Sequence, residues 1–303
     1  MHHIHHALSR QLHVNRDKNL LSTDAQAALE IDPVFLAALE EVIGIQDSGR
    51  GFDLVDELIR TAMDSLIGRI YAINQFVQVS PSQKDRLEQI YRHTWDLVLK
   101  RRQTELVLRR SHYPRIGRWV AALYPETLRG PLASVRRLGQ VPCQEYSALF
   151  QLELYGLDPA SIREPLLDIG CGQNALLVRH LRKLGVESYG LDRAFSVRAP
   201  YLLEGDWLLP VEGPSRWGTI VSNMAFTNHF RFVARYDQAR KPHYVQRYGE
   251  ILDSLEPGGV LLYGPGAPEL ERAVDGSRFT VETRKVLGDD RIMAVRRLAP
   301  QRR

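Results

Sequence analysis

The stretch Leu166–Arg193 reads LLDIGCGQNALLVRHLRKLGVESYGLDR. A short apolar run, Leu166–Ile169, carries one acid, Asp168, and runs into a turn holding Gly170 and Gly172. Neither glycine has a Cβ, so the chain can bend tightly and a ligand can approach the backbone. Asn174 tolerates left-handed geometry and is expected to cap ALLVRHLRKLG, a helical pattern that stops at Gly185. A second apolar run ends at Asp192. In a doubly wound sheet an acid at that place accepts hydrogen bonds from both ribose hydroxyls. The unit predicts strand, glycine turn, helix and strand around an adenosine-bearing ligand.

Gly170, Gly172 and Ala175 satisfy the loose G-x-G-x-x-[G/A] pattern of dinucleotide sites, a weak signal alone. Asp168 argues against a dinucleotide. A diphosphate over this turn would be opposed by that carboxylate by several kcal/mol at an effective dielectric of ~20. S-adenosylmethionine carries no phosphate there; its ammonium and sulfonium suit an anionic wall. The loop therefore reads as a cradle for a cationic nucleoside.

Working outward, strands and helices alternate beyond position 166, the mark of a parallel α/β sheet. Strands are expected near 166–169, 187–191, 201–205, 218–223 and 259–264. Helices are expected near 174–184 and 243–255, with another after Pro268. RFTVETRKVLGDDRIMAVRRL reads as two strands joined at Gly288–Asp289–Asp290, a hairpin. The fold class is thus α/β, a Rossmann-like doubly wound sheet, mostly parallel, with a C-terminal antiparallel hairpin. From Ser22 to Leu138 the pattern is helical, so an all-α N-terminal domain (1–140) precedes the α/β domain (141–303). Ser80 and Pro81 open one helix, Pro114 is expected to break the pattern, and IGRWVAALYP gives a shorter helix closed by Pro125. A further helix is expected at about Cys143–Tyr155.

With these motifs in hand, the C-terminal half resembles the class I S-adenosylmethionine-dependent methyltransferase superfamily. LLDIGCGQN is similar to its first motif and YGLDR to its ribose-binding acid. EGDWLLP resembles the segment after strand three, where Asp206 would meet the adenine amino group and Trp207 could stack. WGTIVSNMAF resembles the fourth strand, and ILDSLEPGGVLLYGP the helix, turn and fifth strand that follow. The family's first motif commonly has a third glycine where Asn174 stands. The resemblance implies donor-binding roles for Asp168, Gly170, Cys171, Gly172, Asn174, Asp192, Arg193, Asp206, Trp207 and Ser222, with S-adenosylhomocysteine as product. Each has a plainer alternative: turn glycines, an ordinary turn acid at Asp206, a core aromatic at Trp207.

Methyl transfer asks a protein to align a lone pair with the carbon–sulfur bond and to exclude water. A base is needed only where the nucleophile must lose a proton. His229 is the best base candidate by residue type, and Asn223 a polar group for orientation; a core histidine is the competing reading for His229. Met224 and Phe226 offer an apolar wall. SNMAF stands where N-P-P-[YF] marks many enzymes acting on base amino groups. No paired-acid pattern calls for a catalytic metal.

The whole chain sets the remaining bounds. Its 303 residues are 44% hydrophobic and 25% charged, with two cysteines, Cys143 and Cys171, and a formal charge of +4. Cysteines so few and far apart argue against a disulfide framework. No segment nears a membrane span, and no secretory layout opens the chain, so a cytoplasmic location is expected. His2, His3, His5 and His6 read as a floppy terminus. Between Lys100 and Arg137 ten basic residues face two acids, Glu105 and Glu126. That field suits RNA or a solvated helix face. The leading expectation is methyl transfer to a small molecule under a helical cap. RNA methylation is the alternative, followed by a donor-binding scaffold without activity and, distantly, an NAD-linked oxidoreductase.

Overall fold

The computed structural model describes residues 2–15, 18–20, 29–47, 52–74, 76–101, 103–124, 146–209, 213–214 and 216–299. The chain divides into two compact units, Met1–Val141 and Pro142–Arg303.

In the second unit β1 (Leu166–Ile169), β2 (Ser188–Asp192), β3 (Leu202–Glu204), β4 (Trp217–Asn223), β5 (Leu255–Gly264), β6 (Phe279–Leu287) and β7 (Asp290–Arg297) form one sheet in the order β3-β2-β1-β4-β5-β7-β6. The first five are parallel; β7 runs antiparallel to β5 and closes a hairpin with β6. This is the Rossmann-like sheet and terminal hairpin expected from the sequence. Strand order reverses between β1 and β4, so a crevice opens at their carboxyl ends, where such sheets bind ligands.

Side chains alternate across the pleat, and both faces are covered. Leu166, Val221 and Leu262 pack under Leu177 and Leu181 of α8 (Leu176–Lys183) and Tyr155 of α7 (Ala148–Tyr155). Leu167, Ile220 and Leu261 pack on the other face with α9 (Phe226–Tyr236) and α10 (Lys241–Asp253). Helix α9 was not anticipated. Its buried stripe, Phe226, Phe230 and Val233, has helical spacing. Its N-cap residue, Ala225, supplies no side-chain cap; the Ser222 hydroxyl, on β4, accepts the Phe226 N–H at 3.1 Å instead. The EPGG turn lies inside β5 as a register shift: Trp217 pairs with Leu255, but Thr219 with Val260. A Cβ on Gly259 would sit 2.9–3.0 Å from three backbone carbonyl oxygens, which excludes a larger residue.

The first unit is helical: α1 (His2–Val14), α2 (Pro33–Asp47), α3 (Phe52–Ile73), α4 (Pro81–Arg101), α5 (Thr104–Val107) and α6 (Tyr113–Ala122). Ser80 and Gln83 form a reciprocal cap at α4: Ser80 Oγ accepts the Gln83 N–H at 3.3 Å, and Gln83 Oε1 accepts the Ser80 N–H at 2.7 Å. Two expectations are corrected. The histidine-rich terminus is the helix α1, with Ile4, Ala7 and Leu8 buried. Pro114 does not break the run. A π-turn over Leu108–His112 joins α5 to α6, and the wider spacing accommodates a ring that would otherwise clash with a carbonyl one turn back. Arg102, Pro125, Arg129, Arg136, Arg137 and Cys143 lie outside the described residues.

Gly218 in β4 lies under the backbone of Arg163 and Glu164; an added Cβ would be 2.4 Å from the Arg163 carbonyl oxygen. Gly218→Ala is expected to destabilise the protein by about 2–3 kcal/mol, read as a lowered urea midpoint.

Candidate functional site

Asp168 is the first anomaly at the carboxyl end of β1. It is 1% exposed, and neither carboxylate oxygen has a hydrogen-bond partner among the described residues. Burial, aided by the charge of Asp192, pushes its pKa up from 3.8 to about 8. A buried carboxyl with no partner is rare in a folded protein, and functional sites are where such groups gather.

The glycine turn begins two residues later. Gly170 and Gly172 both have φ +76°, so both use the freedom glycine alone has. They differ in surroundings. A Cβ on Gly170 would be 2.2 Å from Ala225 Cβ, so that glycine is required by packing against the start of α9. A Cβ on Gly172 would meet nothing within 4 Å. The space above Gly172 is open, as a ligand cradle requires.

Asp192 organises this loop from the end of β2. Its Oδ2 accepts the Gly172 N–H at 2.8 Å and its Oδ1 accepts the Arg193 N–H at 2.7 Å. Burial raises its pKa, while Arg193 and these N–H groups pull the other way. Asn174 is not the helix cap. Ala175 holds that place in left-handed geometry at φ 43°, and Asn174 is exposed, its Oδ1 accepting the Ser196 hydroxyl at 2.9 Å. Cys171 packs against Ala175, Val178 and Leu202, its thiol pKa raised by burial and by Asp168 and Asp192. Asp206 accepts the Leu208 N–H at 2.9 Å through Oδ1, the geometry of a turn acid. Trp207 is 3% exposed and packs near Gly170, with the Arg193 guanidinium 5.4 Å from its ring. The structure makes it a wall of the core.

Beyond β4 the expected residues separate by face. Ser222 points into the α9 side, where its hydroxyl donates to the Ile169 carbonyl at 3.1 Å and receives the Phe226 N–H. It ties β1, β4 and α9 together. His229 is on that side too, 2% exposed, its ring edge-on to Trp207 at 4.8 Å. Burial, with Arg193 and Arg240, holds its pKa well below the usual histidine value, so the ring is neutral and enclosed. Phe226 is 2% exposed and packs against Tyr244. Asn223 faces the other way, on the side of Val221 and Tyr155, and its Oδ1 accepts the Tyr155 hydroxyl at 3.0 Å. Met224 follows in left-handed geometry at φ 52°, its N–H donating to the Gly264 carbonyl at 2.7 Å. Such strain in a non-glycine residue is commonly held at functional sites. Tyr155 was not singled out from the sequence. It meets Asn223 across 68 positions of chain, and no local pattern carries that contact.

No family model matches the chain, and no curated protein matches it significantly. Solved structures do. A TehB-like SAM-dependent methyltransferase from Corynebacterium glutamicum is 18% identical, covering 49% of this chain and 92% of its own, at a TM-score of 0.34. The N-methyltransferase NodS from Bradyrhizobium japonicum, solved with S-adenosyl-L-homocysteine, is 16% identical over 50% of this chain and 85% of its own, at 0.34. The glycopeptide N-methyltransferase MtfA, also solved with that compound, is 20% identical over 51% of this chain and 66% of its own, at 0.29.

The raised pKa of Asp168 carries a stability consequence. Between its ordinary 3.8 and about 8 the folded state keeps a proton that the unfolded chain releases, so this group makes stability fall as pH rises through that window. Asp168→Asn removes the effect. The variant is expected to exceed the native protein by about 2–5 kcal/mol at pH 8 and to converge with it near pH 4, measured by urea unfolding across pH.

Proposed function

We propose that this chain is an S-adenosylmethionine-dependent methyltransferase whose donor sets its ammonium group against Asp168. The observation that carries the reading is the buried carboxylate with two partnerless oxygens at the end of β1, beside a glycine turn with open space above Gly172. A cation is the natural complement to such a carboxylate; a diphosphate is its opposite.

Around that contact the other groups have assignable tasks. Asp192 retains unused lone pairs for ribose hydroxyls while its loop contacts hold the turn in shape. The second oxygen of Asp206 is available to an adenine amino group. Trp207 backs the cradle from within the core. When bound, the donor supplies a methyl group already activated on a sulfonium. The chain's work is to bind, orient and exclude water. His229, enclosed beside Trp207, is given no base role.

The acceptor has two readings. A small organic molecule was the first expectation, but Phe226, part of its apolar wall, is packed in the core, leaving Met224 at the edge. RNA gains from one observation in the helical unit: Lys100, Arg110 and Arg118 are outward residues of α4, the π-turn and α6. Lys100 is exposed along with both arginines, and none of the three has an acidic partner among the described residues. Unneutralised cations of this kind suit phosphates.

Calorimetric titration tests the core reading. S-adenosylhomocysteine is expected to bind, with release of a proton near pH 7 as Asp168 ionises beside the ligand ammonium, and NAD is expected not to bind. Binding of NAD alone would refute the proposal. Asp192→Ala should weaken the S-adenosylhomocysteine complex by about 1–3 kcal/mol, and Gly172→Val should abolish it by filling the cradle. For the acceptor, RNA affinity that falls steeply with salt, and falls again in Arg110→Ala/Arg118→Ala, favours the second reading; salt-independent behaviour favours the first.

A further inference from the structure

Asn223 stands on the same sheet face as Asp168, one strand over, at the carboxyl edge. Its amide has two ends with opposite chemistry. Oδ1 is occupied by the Tyr155 hydroxyl at 3.0 Å. Tyr155 is 1% exposed, and its hydroxyl donates to Asn223, with the Ser222 carbonyl more distant at 3.4 Å. Nδ2 has no hydrogen-bond partner among the described residues and is not among the buried unsatisfied atoms. The amide therefore turns N–H donors, not its oxygen, towards the edge of the sheet.

Three further facts bear on the atom that would be methylated. His229 is enclosed on the opposite face of the sheet. Asp168 is engaged by the donor's ammonium on the reading above. The Tyr155 hydroxyl is held above the ordinary tyrosine range by burial and by Asp168, and it donates its hydrogen to Asn223. None of these groups is placed to take a proton from an acceptor. A hydroxyl, or an alkylamine that arrives as its ammonium ion, must shed a proton for its lone pair to attack; among the described residues these groups at the sheet edge offer no place for it.

We infer that the acceptor, given the methyltransferase reading on which this rests, is an aromatic ring nitrogen with a free lone pair and no proton to lose, beside a hydrogen-bond-accepting oxygen or nitrogen that the Asn223 amide holds. Tyr155 is the positioning residue that sets the amide. In the transfer the ring nitrogen's lone pair forms the bond to the methyl carbon. The carbon–sulfur bond breaks, and its electron pair stays on sulfur. The positive charge passes from sulfonium to the methylated ring, and no proton leaves. Free heteroaromatics and the bases of RNA both offer this chemistry.

The test uses the full chain with labelled S-adenosylmethionine and three probe sets: guanosine and inosine, each with a free ring nitrogen beside a carbonyl oxygen, isolated ribosomal RNA, and benzylamine with phenol. Transfer to a ring nitrogen is expected, to the free compounds if the acceptor is small and to RNA alone if it is not. In the responsive set Asn223→Asp should lower kcat/KM at least 100-fold, since an oxygen would then face the acceptor's oxygen. Tyr155→Phe should lower it about 10-fold, but hardly further in an Asn223→Ala background, a non-additivity that loss of packing alone would not produce. Affinity for S-adenosylhomocysteine, measured separately by calorimetry, should be unchanged in all of them. Methylation of benzylamine or phenol, full activity in Asn223→Asp, or donor binding with no transfer to any ring nitrogen would overturn the inference. Failure to bind S-adenosylhomocysteine at all would instead remove the methyltransferase reading beneath it.

Discussion

A carboxyl group buried at the end of β1, without a hydrogen-bond partner among the described residues, sets the terms for everything around it. Removing a carboxylate from water without compensation costs several kcal/mol, and Asp168 answers by keeping its proton to about pH 8. The fold tolerates this because the strand is otherwise well anchored. Leu166, Leu167 and Ile169 are buried on two faces, and parallel neighbours flank the strand on both sides. A stable scaffold can hold one unfavourable group where a ligand will complement it, and the functional reading follows from that imbalance.

The same edge shows how one polar side chain can link three elements. Ser222, next to last in β4, donates to the last carbonyl of β1 and accepts the first N–H of α9. Its neighbour Asn223 points the other way and is held by a tyrosine from α7. Adjacent positions on one strand thus divide the work. The residue on the α9 face builds the frame, and the residue on the α7 face is left with free donors. Pleat alternation alone dictates that division.

How much of this was legible in the sequence depends on whether the signal was local. The glycine turn, the two acids, the parallel strands and the hairpin at Gly288 are written in contiguous residues, and each sits close to where it was expected. Helix α9 was hidden because the group that caps it lies on the preceding strand and its N-cap position holds an alanine. Pro114 misled because proline usually ends a helix, and only the π-turn before it reconciles ring and backbone. Asn174 looked like a cap by residue type, yet the helix begins after Ala175 in an unusual left-handed state. His229 was attractive by chemistry and position; whether a histidine faces solvent or core turns on the face of a helix that had not been recognised.

Exposure also decides between the kinds of chemistry the edge can support. A strand end that carried an accessible histidine and a free amide oxygen would suit an acceptor that sheds a proton. Here the histidine is neutral and enclosed, the amide oxygen is occupied, and the strained Met224 closes the strand with an apolar side chain. The groups that remain are a carboxyl suited to a cation and an amide suited to a lone pair. On the proposed reading those two complement an electrophile that already bears positive charge and a nucleophile with no proton to lose, and for such partners alignment would be the greater part of catalysis.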